Sequence, residues 1–224
     1  MKPGTHVISL IESVPLEGRT IVLIRHAERE SFRGVPPDQC HTVGLTPQGI
    51  RMAWDFGAAV RQIAPDARLF LGHTIAKRCE MTAWSIRDGF SSDGRARILG
   101  CEPEIPGPVA DMKRLVSLID ERGWPALIER WLDFKLPEEI IGNPRKYSDE
   151  LLATLLSYPG IRDGEMLVVV AHDMTLYPLV FGLFGKKARA MEFLNGVVIS
   201  AGRDTAAIRF ENAEDSLETE RRIP

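Results

Sequence analysis

Two long apolar runs, each followed by a histidine, constrain the fold of this chain most strongly. Residues 20–24 (TIVLI) precede Arg25 and His26, and residues 166–171 (MLVVVA) precede His172. A strand that is apolar on both faces has to be covered on both sides, as strands are in parallel sheets between layers of helices. Because strand-like runs alternate with helical patterns, the sequence predicts an α/β fold, a three-layer α/β/α sandwich with a mostly parallel central sheet.

Caps, turns and periodicity predict the remaining elements. Thr46 followed by Pro47 is typical of a helix start, and apolar residues continue at helical spacing to about Ile63. Thr74 is expected to cap the next helix. The apolar stripe of that helix is predicted to consist of Ile75, Cys79, Thr82, Ala83 and Ile86. Further predictions are strands at residues 68–72 and 95–99, a loop at 31–44, and a helix that follows Asp173 and runs to about residue 184. Near the C-terminus we expect a hairpin of residues 197–200 and 206–210 joined through residues 202–204, and a loose charged tail over the last dozen residues.

The size of the chain suits one well-buried core. It has 224 residues and a mass of 25.0 kDa, which is short for two comfortable domains. Residues 109–159 have a mostly helical pattern, interrupted by glycines and prolines. We therefore expect a single domain over residues 1–224, with a mostly helical insertion at about residues 101–160 beside the sheet.

Charge and composition exclude several kinds of partner. The net charge is −3, whereas general nucleic-acid binders are usually basic. No segment approaches the roughly 20 apolar residues that cross a bilayer, and the short run at residues 7–11 lacks the flanks of a signal peptide. The three cysteines are widely spaced and form no CxxC pair. We expect a cytoplasmic protein with reduced thiols and with neither nucleic-acid nor membrane partners.

The residues at the ends of the two apolar strands suit a phosphate group. Ligands of open α/β sheets bind beyond the carboxyl ends of the strands, so His26 and His172 meet at one crevice if their strands are neighbours. Arg25 and Arg29 flank His26, and Arg78 lies near a helix start, where free N–H groups also favour an anion. Guanidinium groups stay charged and grip phosphate oxygens with paired hydrogen bonds. The pattern therefore predicts a phosphate-binding crevice.

These side chains suggest phosphoryl transfer through a histidine. A neutral His26 nitrogen would attack phosphorus, while the other nitrogen donates to a backbone carbonyl and fixes the tautomer. The arginines and a protonated or hydrogen-bonding His172 would stabilise charge on the equatorial oxygens. An acid would protonate the leaving oxygen and later activate water; Asp173 is one candidate, and Glu102 and Glu104 are the others. Because no tight ligand pattern such as HExxH or paired CxxC occurs, we expect no metal.

Four segments together resemble the histidine phosphatase superfamily, which includes the phosphoglycerate mutases and the histidine acid phosphatases. Residues 25–29 (RHAER) match the RHG or RHA motif at the end of the first strand, and residues 45–49 (LTPQG) match an LTxxG helix opening. Residues 78–83 (RCEMTA) resemble the RxxxTA segment, and residues 171–173 (AHD) the strand end that carries the second histidine. The segments occur in the family's order, which makes the set far more specific than any one of them.

The resemblance implies roles for individual residues. His26 would be the nucleophile that forms a phosphohistidine, and Arg25, Arg78 and His172 would form the phosphate pocket. Arg29 fits a branch of the family in which a further arginine follows the first histidine.

The resemblance leaves two sources for the proton donor. The branch that Arg29 fits takes its donor from a His-Asp pair, which favours Asp173. The mutase-like branch uses a glutamate downstream of the helix arginine, and Glu102 or Glu104 would match it.

The predicted function is that of a phosphomonoester hydrolase acting through a phosphohistidine, with a small-molecule substrate and neither metal nor organic cofactor. One alternative is a phosphoglycerate-type phosphomutase, which returns the phosphoryl group to its substrate. The other is a non-catalytic module that binds phosphate or phosphoproteins on the same fold. The sequence indicates no oligomeric state.

Overall fold

A computed structural model describes residues 2–15, 17–91, 93–101, 105, 107–187, 191–202 and 205–218. Its strands are β1 (Arg19–Arg25), β2 (Arg68–His73), β3 (Ala96–Cys101), β4 (Glu165–Ala171), β5 (Gly196–Ala201), β6 (Thr205–Phe210) and β7 (Ala213–Glu218). Its helices are α1 (Thr5–Ser13), α2 (Pro47–Ile63), α3 (Lys77–Phe90), α4 (Met112–Arg122), α5 (Trp124–Leu132), α6 (Pro144–Leu156) and α7 (Asp173–Phe184), with a 3₁₀ helix at Pro37–Thr42.

The strands form one sheet in the order β3-β2-β4-β1-β5-β6-β7. Strands β3, β2, β4 and β1 run parallel, and β5, β6 and β7 continue the sheet as antiparallel neighbours. The two strands that precede the histidines are direct neighbours, with Arg25 beside Ala171 in the register. The prediction of an α/β fold with a mostly parallel sheet is therefore confirmed.

Alternate side chains of the central strands enter two separate cores. On β1, Ile21 and Leu23 pack on the face covered by α4, α5, α6 and α7. Val22 and Ile24 pack on the opposite face, which α1, α2 and α3 cover. All four side chains are fully buried, which explains why the run contains no charged residue. Helices on both faces make the predicted three-layer sandwich.

Helix α2 begins where the sequence predicts. Thr46 is the N-cap, and its Oγ1 accepts a hydrogen bond from Gly49 N at 2.9 Å. Pro47 occupies the first helical position, where its missing N–H costs nothing.

Helix α3 begins later than predicted, and Thr74 is not its cap. The N-cap is Ala76, because Thr74 N donates to Val170 O and so prolongs the β2–β4 ladder beyond the strand end. Ile75 was predicted in the apolar stripe but is 79% exposed. The other members of the predicted stripe are buried: Cys79, Thr82, Ala83 and Ile86.

The two termini contain elements that the sequence analysis did not predict. At the N-terminus, α1 forms because Val7, Leu10 and Ile11 share one buried face. The predicted loose tail is wrong for residues 213–218, which form β7 and pair with β6. The predicted hairpin of β5 and β6 is observed. Two predicted parts lie outside the described residues: positions 203 and 204 of the hairpin turn, and positions 219–224 of the tail.

The stretch between β3 and β4 is mostly helical, as its pattern indicates. It contains α4, α5 and α6, and Trp131 of α5 donates its indole N–H to Gly142 O at 2.8 Å. Buried residues of these helices join the same core as Ile21 and Leu23 of β1. Of the helices described here, none combines the length and the apolar character needed to cross a bilayer. The limits of the domain stay a prediction.

Candidate active site

The carboxyl ends of β1 and β4 bring His26 and His172 together. His26 N donates to Ala171 O at 3.0 Å, so each histidine directly follows its strand at the same edge of the sheet. The two ring centroids lie 5.5 Å apart, with ring planes at 71°. The pairing of β1 with β4, which the sequence analysis assumed, is the reason for this convergence.

The hydrogen bonds of His26 define its tautomer. Nδ1 lies 2.7 Å from Ala27 O, and Arg78 Nε donates to Nε2 at 3.2 Å. A carbonyl can only accept and a guanidinium can only donate, so Nδ1 carries the proton and Nε2 carries the lone pair. Burial holds the pKa of His26 well below 6.5, against the opposing effect of the Ala27 bond. The interaction with the His172 ring and the charges of Arg78 and Arg25 lower it further. His26 is therefore neutral, and its lone pair is on the nitrogen that faces the arginine.

His172 is also held neutral. Arg78 Nη2 lies 3.4 Å from its Nδ1, and Thr74 Oγ1 lies 3.2 Å from its Nε2. Burial first, and then Arg78, Arg25 and Arg29, lower the pKa of His172 to about 3. Of the two forms that the sequence analysis allowed, these surroundings favour the hydrogen-bonding neutral ring. A phosphate dianion beside the ring would raise this pKa, because an opposite charge favours the protonated form.

Arg25 is held from three sides. One terminal nitrogen donates to Met191 O, and the other lies 3.3 Å from Asp173 Oδ2. The Phe193 ring centroid lies 4.5 Å from the Arg25 Cζ, a cation–π distance. Arg25 Nε is buried and has no hydrogen-bond partner among the described residues. The Nε–H group of Arg25 is thus a donor at the site without an acceptor among the described residues.

Arg78 links the two histidines to the 3₁₀ helix at Pro37–Thr42. Besides its bonds to His26 and His172, Nη1 donates to Cys40 O at 2.9 Å. Burial is the main effect that lowers its pKa, but a guanidinium remains charged at neutral pH all the same. Each nitrogen of its guanidinium is therefore already within reach of a histidine ring or a backbone carbonyl at this site.

Arg29 lies close to the other two arginines. Its Cζ lies 3.4 Å from the Phe32 ring centroid, and the Arg78 Cζ lies 5.2 Å from the same ring. Burial, followed by the charges of Arg78 and Arg25, lowers the pKa of Arg29. Among the described residues, only Arg25 of these three arginines forms an ion pair with a carboxylate. The cluster therefore carries excess positive charge, which favours an anion.

Asp173 is the acidic candidate that the structure describes. It is the first residue of α7, and His172 is the N-cap, so Asp173 is not the N-cap residue. Its Oδ2 pairs with Arg25, and its Oδ1 accepts from Met174 N at 2.9 Å. The carboxylate is 17% exposed, which leaves it accessible to a substrate. The rival acids, Glu102 and Glu104, lie outside the described residues.

Several residues at the site were missed by sequence reasoning. Phe32 and Phe193 contribute aromatic faces to the arginines, but they come from loops without a distinctive pattern. Thr74 contacts His172. Thr82 accepts from Ala27 N at 3.1 Å and donates to Arg78 O at 2.7 Å, so it joins the segment after His26 to α3. Only Thr82 had a sequence signal, because it belongs to the RxxxTA segment.

The nearby thiol is poorly suited to chemistry. Cys79 Sγ lies 3.7 Å from His172 Nε2, and burial raises the pKa of this thiol to about 12. It therefore stays protonated, whereas nucleophiles and metal ligands need the thiolate. Within the part of the chain that the structure describes, no three His, Cys, Asp or Glu side chains group as a metal-ligand set.

No family profile matches the sequence, and no curated protein matches it.

Solved structures, in contrast, match over most of the chain. Phosphoglycerate mutase from Bacillus anthracis superposes with a TM-score of 0.59 at 14% identity, covering 91% of this chain and 94% of the mutase chain. The α-ribazole phosphatase from Shigella flexneri has a TM-score of 0.52 at 20% identity, with coverages of 87% and 96%.

A third structure is that of a phosphoserine phosphatase mutant from Entamoeba histolytica in complex with phosphoserine. It has a TM-score of 0.53 at 15% identity, with coverages of 87% of this chain and 97% of that one. At these identities the likeness concerns the fold. The fold that the sequence resemblance implies is thereby confirmed: this chain has a phosphoglycerate mutase-like fold.

Proposed function

We propose that this protein is a phosphomonoester hydrolase that transfers the phosphoryl group to His26. The observation that carries the proposal is the state of the His26 ring: its Nδ1–H is bound to Ala27 O, and the Nε2 lone pair faces a cluster of arginines. A neutral imidazole with a fixed tautomer is a competent nucleophile, and guanidinium groups stabilise the charge of a transferring phosphoryl group.

The proposed reaction has two steps. In the first, Asp173 takes up a proton from solvent and gives it to the leaving oxygen, as Nε2 of His26 attacks phosphorus and the bond from phosphorus to that oxygen breaks. In the second, Asp173 takes a proton from water, the hydroxide oxygen bonds to phosphorus, and the phosphorus–nitrogen bond breaks to release inorganic phosphate. The Asp173 role is supported by its position beside Arg25. For the first step, a phosphate oxygen has to replace His26 Nε2 as the acceptor of Arg78 Nε.

The substrate that we propose is a small phosphomonoester. Excess positive charge from Arg29 and Arg78 suits a dianionic phosphate. The matched structures support this class, since their names describe a ribazole phosphatase, a phosphoserine phosphatase and a phosphoglycerate mutase. We also propose a cytoplasmic location, on the basis of the cysteine pattern.

The first prediction tests the nucleophile. His26→Ala should lower turnover of p-nitrophenyl phosphate and phosphoserine by about a thousandfold or more, because it removes the proposed nucleophile and leaves nothing to form the phosphohistidine. The wild type should accumulate an acid-labile, alkali-stable phosphohistidine after rapid quenching, and the variant should not. Far-ultraviolet circular dichroism checks that the variant is folded.

His6→Ala is the matched control, because it removes an imidazole from α1 rather than from the site; we expect wild-type turnover. Retention of more than a tenth of the activity in His26→Ala would contradict the proposal. Incubation of the wild type with 3-phosphoglycerate distinguishes the rivals: an isomeric phosphoglycerate would indicate a mutase. Phosphate binding without any turnover would indicate a binding module.

A further inference from the structure

Thr74 lies at the end of β2, next to the histidine that follows β4. Its backbone N donates to Val170 O at 3.0 Å, which keeps it in the sheet ladder although β2 ends at His73. The residue is buried, with 8% exposure. Its Oγ1 lies 3.2 Å from His172 Nε2. The contact therefore comes from sheet geometry and not from helix capping.

The partners of His172 determine which nitrogen bears the proton. Arg78 Nη2 faces Nδ1 at 3.4 Å, and since arginine has no acceptor, Nδ1 must hold the lone pair. The neutral ring then carries its proton on Nε2, which donates to Thr74 Oγ1. The Thr74 hydroxyl is left to donate to Cys79 Sγ, with which it also interacts.

We propose that Thr74 is a positioning residue for phosphoryl transfer, because it holds His172 with a proton on Nε2 and its Nδ1 directed at the phosphate pocket. This inference rests on the proposed function. For His172 to donate to a phosphate oxygen, Nδ1 must take up a proton from solvent when the dianion binds. The resulting imidazolium has an Nε2–H that still needs an acceptor, and Thr74 Oγ1 supplies it in both states.

The surroundings of His172 make this acceptor important. Three cations face the ring: Arg25 at the end of β1, Arg29 in the loop after it, and Arg78 on α3. His26 also faces the ring, from the end of β1. The described residues add two further groups: Cys79, a neutral thiol on α3, and Asp173, whose carboxylate is engaged with Arg25. Protonation of His172 is thus opposed by cations, and an unsatisfied Nε2–H would oppose it further.

The test compares Thr74→Val, which keeps the shape but removes the hydroxyl, with Thr74→Ser, which keeps the hydroxyl. Nitrogen-15 NMR of labelled histidine gives the tautomer and the titration of His172 in saturating inorganic phosphate. We expect the Nε2–H tautomer in the wild type and in Thr74→Ser. In Thr74→Val the ring should titrate about one pH unit lower, because one buried hydrogen bond to the charged form is lost.

The kinetic prediction follows from the same loss of stability of the protonated His172 ring. In Thr74→Val, kcat/KM should fall about tenfold to a hundredfold, and its alkaline limb should move to lower pH, because the protonated ring is less stable. Thr74→Ser should stay within about threefold of the wild type. If Thr74→Val does not fold, Thr74→Ala replaces it in both measurements.

Two results would overturn the inference. One is an unchanged His172 tautomer and titration in Thr74→Val. The other is an equal loss of activity in both Thr74 variants without a shift of the pH profile, which would indicate a structural role alone. The NMR measurement needs only phosphate binding. Failure of the proposed function would be seen as absence of turnover in the wild type, and it is therefore distinguishable from failure of this inference. A wild-type His172 whose titration does not respond to phosphate would overturn the inference directly.

Discussion

At the scale of single residues, Arg25 connects the candidate acid, Asp173, with the proposed nucleophile, His26. It directly precedes His26 in the chain, forms an ion pair with Asp173 and lies against Phe193. The Phe193 ring is in turn 5.9 Å from the His26 ring, centroid to centroid. A substitution at Asp173 therefore affects both proton transfer and the position of Arg25. These two effects can be separated by the choice of leaving group.

Asp173→Asn keeps the shape of the side chain and removes its proton-transfer chemistry. We expect turnover of glycerol phosphate, whose alkoxide is a poor leaving group, to fall about a hundredfold more than turnover of p-nitrophenyl phosphate, whose phenolate needs little protonation. Any disturbance of Arg25 affects both substrates alike and cancels in the ratio. The measurement is kcat/KM for each substrate at one pH.

The control for this substitution is Asp163→Asn, at an exposed position in the loop before β4, where no change is expected. Equal losses on both substrates in Asp173→Asn would move the acid role to Glu102 or Glu104.

At the scale of elements, the contact between α2 and α3 sets where Arg78 lies. A Cβ added to Gly57 would come within 2.1 Å of Ile86 O, and one added to Gly89 within 2.0 Å of Trp54 O. The two helix backbones thus touch directly, and a methyl group cannot be accommodated without moving one helix. Since Arg78 lies in the first turn of α3, such a movement would also reach the site.

Gly57→Ala should therefore lower the free energy of unfolding by at least about 2 kcal/mol, although alanine favours helices over glycine. Urea unfolding followed by circular dichroism measures the change. The matched control is Gly107→Ala, where an added Cβ meets no atom within 4 Å; a change of at most about 1 kcal/mol is expected there. A neutral or stabilising Gly57→Ala would mean that the helices are free to separate.

At the scale of the whole molecule, folding buries two neutral imidazoles in a cationic site. The pKa of His172 is about 3 in the folded state, against 6.5 without the fold, and that of His26 is also lowered. Above pH 6.5 both rings are neutral in the folded and in the unfolded chain, so their titration does not lower the free energy of unfolding. Below pH 6.5 these rings bind protons in the unfolded chain but not in the folded chain. The free energy of unfolding therefore falls as the pH drops toward 3.

For His172 alone the loss at pH 5 should be at most about 2 kcal/mol, reduced by the solvent that reaches its partly accessible ring. The measurement is the free energy of unfolding in urea at pH 7.5 and at pH 5. His172→Asn should lose less stability between these two pH values than the wild type does. An equal loss in both proteins would show that His172 titrates normally in the folded state.

Local patterns in the sequence were sufficient to predict those elements whose structure depends on residues close in the chain. The β1 and β4 strands follow from apolar runs that need cover on both faces. The start of α2 follows from a Thr-Pro pair whose cap is formed within four residues. The four segments that resemble the histidine phosphatase superfamily likewise led to the fold, and the histidines and arginines that they contain lie together in the structure.

The tertiary structure alone decided the features that depend on distant partners. Thr74 stays in the ladder because of Val170, and Phe193 reaches Arg25 through a loop that nothing in its own sequence distinguishes. Strand β7 forms from the charged run AEDSLE, because ladder hydrogen bonds use the backbone and need only a free edge such as that of β6. The sequence by itself thus determined which residues carry charge and where the two strands before the histidines lie. The order of strands in the sheet decided which of those residues are in contact. Contacts between distant residues depend on which strands are neighbours, and no local pattern specifies that.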